Sequence, residues 1–292
     1  MKILITGRTG QLGQELYALH TQYPEHQFCF TGRRELDLTS ATSISTHFNE
    51  HRYDIIINAA AYTAVDRAET EPELADQINH RAVKQLAELA ADSGSRFIHI
   101  STDYVFDGNG YTPWKETDSP CPLGVYGVTK LRGEAAVQAV NGCSAIIRTG
   151  WVYSCYGNNF VKTMLKLAAS RETLNVVDDQ IGTPTHAAAL ARVALQLALS
   201  PRMSGYSGEI FHYSQQGVAS WYDLACSIME TAKQNCRIYP IPSTDYPTPA
   251  QRPAFSVLNK KKISDALSLE IPHWRDELKE MLARLHVQTC HK

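Results

Sequence analysis

The chain has 292 residues, 43% of them hydrophobic and 20% charged, with a net charge of −2. That length supplies a core for one large or two small domains. The near-neutral balance leaves no electrostatic footprint for nucleic acid, and no apolar run approaches the ~20 residues that span a bilayer. Seven cysteines are scattered without a C-x-x-C pair, and eleven histidines without a ligand spacing. This usage predicts a reducing, cytoplasmic setting, no disulfide framework and no histidine-held metal. Residue 2 already enters a strand pattern, so no signal peptide is expected.

The apolar run Ile3 to Ile5 predicts a first buried strand, and Leu12, Leu16 and Leu19 predict the helix after it. Between them stand Gly7, Gly10 and Gly13 at three-residue spacing. The first permits a tight turn, and the second lets backbone approach a pyrophosphate seated on the helix N-terminus. The third lets helix and strand pack closely. The stretch Gly7, Arg8, Thr9, Gly10, Gln11, Leu12 and Gly13 is therefore a candidate dinucleotide cradle. Residues 26–31 predict strand two, followed by Gly32, Arg33 and Arg34. Many dinucleotide folds place an acid here for the ribose 2′-OH. Arginines in its place, with Arg8 nearby, favour a 2′-phosphate and hence NADPH, with NADH as the alternative. The choice between Arg33 and Arg34 stays open.

Asp37, Leu38, Thr39 and Ser40 lead into a helix capped by Thr39 or Ser40, and Asp37 is also placed to face an adenine. Residues 54–58 predict a third buried strand. Ala59, Ala60, Ala61 and Tyr62 follow it, small residues suited to backbone pressed against a cofactor or to close helix packing. Pro72 opens a long helix with Val83, Leu86 and Ala90 on its apolar face and Gly94 beyond its end. Residues 96–101 predict strand four, a helix runs from near Tyr126 to before Gly142, and residues 144–148 predict strand five. Strands alternating with helices imply an α/β fold with a doubly wound parallel sheet. Ligands of such sheets bind beyond the carboxyl ends of the strands. Past Arg148 the chain turns aromatic and polar. It then predicts helices over residues 160–170, 186–199 and 274–286, an extended connection over 180–185, a strand over 209–213 and an irregular proline-rich stretch over 240–253.

The sharpest chemical pattern is Tyr126-Gly127-Val128-Thr129-Lys130. Four residues on a helix put Tyr126 and Lys130 on one face. An ammonium there is expected to lower a phenol that ordinarily titrates near ~10 and make it a usable proton donor. The same lysine can reach a nicotinamide ribose. Strand four ends in Ser101 and Thr102, either of which could hold a carbonyl oxygen, although alternate residues face opposite ways.

The glycine loop, Ser101-Thr102-Asp103-Tyr104-Val105-Phe106-Asp107-Gly108 and the Tyr126/Lys130 pair together resemble the extended short-chain dehydrogenase/reductase family. Residues 148–153, 157–160, 179–185 and 252–253 extend the match to the dTDP-4-dehydrorhamnose reductase branch, over nearly the whole chain. The resemblance implies a Rossmann-like domain over 1–149, with about 182–214 returning to it. A smaller, mainly C-terminal α/β substrate domain would use 150–181 and 215–292. It implies reduction of the C4 ketone of a dTDP-sugar by NADPH, with Thr102, Tyr126 and Lys130 as the catalytic set. Ser101, Leu38 and Asp37 would join the cofactor site. Asp103, Val105, Trp151, Asn159 and Arg252 would join Thr102 and Tyr126 around the nucleotide-sugar. Some relatives bind Mg²⁺ at a dimer interface through carboxylates. Here residues 186–199 hold no acid, although Glu15 is present, so no metal is expected and a homodimer would form through other surfaces. Two alternatives remain: an NADP-binding regulatory subunit of the methionine adenosyltransferase type, and a reductase or epimerase of another nucleotide-sugar. The single acid Asp103 followed by Tyr104 argues against a dehydratase.

Overall fold

A computed structural model describes residues 1–290, with side chains to 287. In chain order the strands are β1 (Lys2–Thr6), β2 (Gln27–Thr31), β3 (Ile55–Asn58), β4 (Arg96–Thr102), β5 (Ser144–Thr149), β6 (Val152–Tyr153), β7 (Thr173–Val177), β8 (Ile181–Gly182), β9 (Thr185–His186), β10 (Glu209–His212), β11 (Ala219–Ser220) and β12 (Arg237–Ile241). The helices are α1 (Gln11–Leu19), α2 (Ala41–Glu50), α3 (Val65–Ala68), α4 (Pro72–Asp76), α5 (Ala82–Asp92), α6 (Val125–Gln138), α7 (Phe160–Ala168), α8 (Ala187–Leu199), α9 (Trp221–Thr231), α10 (Lys261–Leu267) and α11 (Trp274–Cys290).

Six strands form one parallel sheet in the order β10-β5-β4-β3-β1-β2. Its strands are apolar runs because both faces are covered. Ile3, Ile5, Ile55 and Ile57 pack with α1 and α8 on one face. Leu4 and Ile56, one residue out of phase, pack with Ile44, Val83 and Leu86 of α2 and α5 on the other. The chain leaves β1 in one direction to β2 and returns past it to β3. The crevice beyond the carboxyl ends of β1 and β3 is therefore the switch point where such sheets bind ligands.

A separate cluster joins Tyr153, Met164, Leu174, Leu224, Ile228, Trp274 and Met281, from β6, α7, β7, α9 and α11. Ile263 of α10 and Ile271, later in sequence, pack instead with the sheet. β7, α9 and α10 lie outside the elements that the sequence predicts. For α9 a signal was present: Ser220 and Asp223 form a capping box, each side chain accepting from the other residue's backbone N–H. The helix expected to run on from Pro72 is interrupted by a π turn over Gln77–Arg81. Its far end behaves as read. Gly94 adopts φ +69°, while Gly94 N and Ser95 N donate to Ala91 O and Ala90 O in a Schellman closure. No helix among the described residues is long and apolar enough to cross a membrane.

Candidate active site

The glycine loop performs three different jobs. Gly7 sits at φ +75°, where a Cβ would come within 2.8 Å of Ala60 N and 2.9 Å of Ala59 C. Gly13 is pressed so tightly on the loop that a Cβ would stand 2.1 Å from Gly7 O. Gly10 caps α1 without a side chain and meets nothing closer than Gly7 O at 3.3 Å, leaving its face open. Gly7 and Gly10 line a cleft of about 780 Å³ together with Thr9, Gln11, Leu12, Arg33, Asp37, Leu38 and Ala59–Ala61 on one side. Ser101, Thr102, Asp103, Tyr126, Lys130 and Trp151 line the other. A cradle that a Cβ would fill, at a helix N-terminus on the switch point, fits the diphosphate of a dinucleotide.

The end of β2 is more mixed than expected. Arg33 and Arg34 are exposed, with Arg33 Nε 3.7 Å from Asp37 Oδ1. Arg8 is exposed too and lies over the Tyr17 ring at 5.6 Å. An acid does stand here: Glu35 Oε2 accepts from Gly32 N at 2.8 Å, and that bond holds its carboxyl below the usual range. Asp37 Oδ1 accepts from Thr39 N (2.9 Å) and Thr39 Oγ1 (2.7 Å), while Ser40 caps α2. Tyr62 stays outside the cleft lining, its backbone N–H and C=O held by Asn79 and its hydroxyl by Glu71.

Across the cleft, β4 ends at Thr102 and α6 begins one residue before Tyr126. Two glycines of α6 permit the approach: a Cβ on Gly127 would meet Tyr104 O at 2.3 Å, and one on Gly133 would meet Asn79 O at 2.2 Å. The two hydroxyls part company as strand alternation requires. Ser101 Oγ donates to Glu134 Oε1 at 2.5 Å, whereas Thr102 lines the cleft with Tyr126. Thr102 also donates to Asp103 Oδ1 at 3.1 Å. The expected lowering of the phenol does not occur. Desolvation pushes Tyr126 up to about 12, with the neighbouring Thr102 acting the other way. The cause is where the lysine points: Lys130 Nζ donates to Ile100 O at 2.6 Å and meets His99 Nε2 at 3.2 Å. Burial also raises Asp103, to about 6. Its carboxylate stands where a Cβ on Gly150 would lie, 2.3 Å from that position.

The model of the family described as RmlD substrate binding domain matches residues 1–287. A dTDP-4-dehydrorhamnose reductase of Escherichia coli K12 is 42% identical, with 99% of this chain and 100% of that protein covered. The chain belongs to the dTDP-4-dehydrorhamnose reductase family. A crystal structure of a family member from Clostridium acetobutylicum superposes with a TM-score of 0.92 at 39% identity, covering 98% of this chain and 100% of that one. One from Bacillus anthracis, in complex with NADP, gives 0.91 at 34% identity, covering 97% and 99%.

Within this reductase-family fold, several residues lie elsewhere than the sequence reading placed them. Val105 is fully buried with Phe106 and Leu258, so its side chain serves packing and does not reach the cleft. Asn159 caps α7 by accepting from Lys162 N at 3.1 Å. Its amide nitrogen donates to Gln11 Oε1 (2.9 Å) and Ser154 O (2.7 Å), and its neighbour Asn158 lines the cleft instead. Arg252 pairs with Asp66, Nη2 to Oδ2 at 2.9 Å, outside the lining. The reading missed Trp221, whose ring stacks on Trp151 with centroids 3.6 Å apart and planes at 1°. Trp151 takes φ +52°, a conformation costly for a bulky residue. A Cβ on Gly182 would fall 2.5 Å from the Trp151 ring. Stacking on one side and the bare glycine on the other thus fix the indole as a cleft wall.

Folding also makes a histidine–carboxylate group that spacing could not show. His186, Glu277 and Glu280 offer ligand atoms within 4.8 Å of one another. His186 Nδ1 lies 2.7 Å from Glu277 Oε2, and Arg192 Nη2 lies 3.4 Å from Glu277 Oε1. Arg284 Nη2 pairs with Glu15 Oε2 at 2.7 Å. Arg192 thus already shares Glu277, and Arg284 holds the neighbouring Glu15, which weakens the case for a divalent cation here. Incubation with EDTA is expected to leave turnover and the elution volume in gel filtration unchanged. Loss of either, restored by Mg²⁺, would refute this.

Proposed function

We propose that the protein reduces the C4 ketone of dTDP-4-dehydro-L-rhamnose with NADPH to give dTDP-L-rhamnose. The observation that carries the reading is Thr102 and Tyr126 lining one wall of the cleft, with Lys130 one turn on, facing a glycine cradle across one continuous cavity. Family membership and the NADP-bound relative support the cofactor. When bound, the dihydronicotinamide supplies the hydride. Tyr126, with its high proton affinity, is protonated at neutral pH and is the donor to the more basic alkoxide forming at C4. Thr102 donates its hydroxyl to the same oxygen and polarises the carbonyl. Lys130 holds the ribose beside it. Trp151 and Trp221 wall the sugar, and Asp103 offers its carboxyl to a sugar hydroxyl.

In this reading residues 1–149, with about 182–214, serve the cofactor. Residues 150–181 and 215–292 serve the nucleotide-sugar, and Arg252 would reach its diphosphate only by leaving Asp66. The deciding assay mixes purified protein, NADPH and enzymatically prepared dTDP-4-dehydro-L-rhamnose. Reduced-nicotinamide absorbance should fall, with dTDP-L-rhamnose as product; no loss over a protein-free control rejects the reading. The exposed Arg33 and Arg34 at the end of β2 support a 2′-phosphate contact. Replacing both by alanine should weaken NADPH binding and leave NADH binding nearly untouched, as read by titration of cofactor fluorescence. Equal losses would remove these arginines from cofactor choice.

A further inference from the structure

The run Asn259-Lys260-Lys261-Lys262 sets three cations in a row, and the fold finds partners for two of them. Lys261 Nζ pairs with Asp265 Oδ2 at 2.8 Å, one turn along α10. Lys262 Nζ pairs with Glu209 and donates to Ile210 O at 2.7 Å, both on the edge strand β10. Lys260 is left over. It is 9% exposed, yet its ammonium has no hydrogen-bonded or ion-paired partner among the described residues. A charge withdrawn from water without a partner is costly, and buried charges are ordinarily paired. Burial brings this amine down to about 8, so it is still mainly charged at neutral pH.

Lys260 lines a cavity of about 300 Å³ that shares no lining residue with the main cleft. Its walls are fixed by backbone bonds. Beside Pro113, Trp114 N donates to Val257 O at 2.8 Å, and Asn259 N donates to Trp114 O at 2.7 Å. Gln216 N donates to Pro272 O at 2.9 Å, and Gln216 O accepts from Trp274 N at 3.0 Å. Two side-chain amides stand beside the lysine in the lining. Asn259 Oδ1 accepts from Lys261 N at 2.9 Å, which leaves its NH₂ end free to donate. The Gln216 amide has no side-chain partner among the described residues. The one acid in the lining, Asp265, is the residue that Lys261 holds, so two ammoniums face one carboxylate. His212 feels the Lys260 charge but is itself brought down to about 3, stays neutral and offsets nothing. The walls therefore offer donors and surplus positive charge with no acceptor of their own to satisfy them.

We propose that this cavity binds a phosphate-class oxyanion, free or as the end of a small ester, with the Lys260 ammonium as its counter-charge and the Asn259 and Gln216 amides as further donors. Its volume lies at the low end of small-molecule pockets, ~300–1,000 Å³. That admits a phosphate with a few carbon atoms and excludes a dinucleotide. The site stands apart from the main cleft and is independent of what that cleft reduces.

The test uses the full-length protein saturated with NADP⁺, so that phosphate does not compete for the glycine cradle. With ¹⁵N-labelled lysine, the Lys260 Nζ resonance is assigned by its loss in Lys260→Met and should titrate at about 8 in chloride buffer. With inorganic phosphate or glycerol 3-phosphate the midpoint should rise by on the order of one unit, because a bound anion favours the ammonium. A rise with only one of the two identifies the form that the site takes. At millimolar concentration, too dilute for general salt effects, the same anion should raise the unfolding temperature of the wild type and leave that of Lys260→Met unmoved. A midpoint that neither anion shifts, or an equal gain in unfolding temperature for the variant, would overturn the proposal. Neither readout uses the sugar substrate, so the reductase reading can fail separately.

Discussion

Replacing Tyr126 with Phe should lower kcat by about 10²–10⁴-fold, the usual contribution of a positioned general acid. That fall is equivalent to roughly 3–5.5 kcal/mol of transition-state stabilisation at about 1.4 kcal/mol per tenfold. The ring keeps its edge-on contact with Tyr104, whose centroid lies 5.6 Å away, so packing is retained and NADPH affinity should barely move. What disappears is the phenolic hydroxyl that shares the cleft wall with Thr102. Thr102 cannot replace it: an aliphatic hydroxyl can hydrogen-bond the forming alkoxide but is no more acidic than the alcohol product. The check is single-turnover reduction alongside cofactor titration, for both proteins. Near-full turnover by the variant would mean that the proton comes from another group, and the mechanism drawn above would be wrong.

Replacing Glu134 with Ala should be the most destabilising of the single changes considered. Its carboxylate accepts from Arg148 Nε at 2.9 Å and Arg148 Nη2 at 2.7 Å, and from Ser101 at 2.5 Å. Both members of the ion pair are 1% exposed. Among the described residues Arg148 then has no hydrogen-bonded carboxylate, and Glu116 acts on it only at a distance. The guanidinium lies over the Phe106 ring at 5.1 Å and beside His212, which burial and Arg148 itself bring down to about 3 and so keep neutral. Removing one partner of a buried pair costs about 3–5 kcal/mol, and a chain of this size loses roughly 2–4 °C per kcal/mol. Thermal unfolding should therefore show a fall of roughly 6–20 °C. Glu134→Leu combined with Arg148→Met should recover much of it, since no charge is left stranded. A fall of less than about 2 °C for the single change would show that Arg148 finds solvent or another acid.

The parallel sheet was legible because burial on both faces leaves unbroken apolar runs such as Ile3–Ile5 and Ile55–Ile57. The cradle was legible because Gly7, Gly10 and Gly13 are the only residue type that its contacts admit or leave open. Rotamers were not legible. The spacing of Tyr126 and Lys130 fixes a shared helix face, yet the lysine's nitrogen bonds to His99 and Ile100 of β4, so the phenol rises instead of falling. Long-range partners were hidden for a similar reason. Asp66 and Arg252 are 186 positions apart, and Glu277 reaches His186 across 91. The Trp151 wall needed its partner Trp221, on a helix announced in sequence only by Ser220 and Asp223.

The π turn over Gln77–Arg81 carries one residue more than an α turn would. Deleting any one of those five residues would let the segment close as ordinary helix, and each residue in such a helix advances the chain by about 100°. Everything from Pro72 to Asp76 would then rotate by that angle about the axis relative to α5. Asp76, which now meets His80, Arg81 and Arg132, would swing off that side, and the Asn79 carbonyl would leave the notch cut for it by Gly133. An alignment gap of one residue is commonly harmless in a surface loop. Here it would act as a phase error, propagated along a rigid rod into the helix that carries Tyr126.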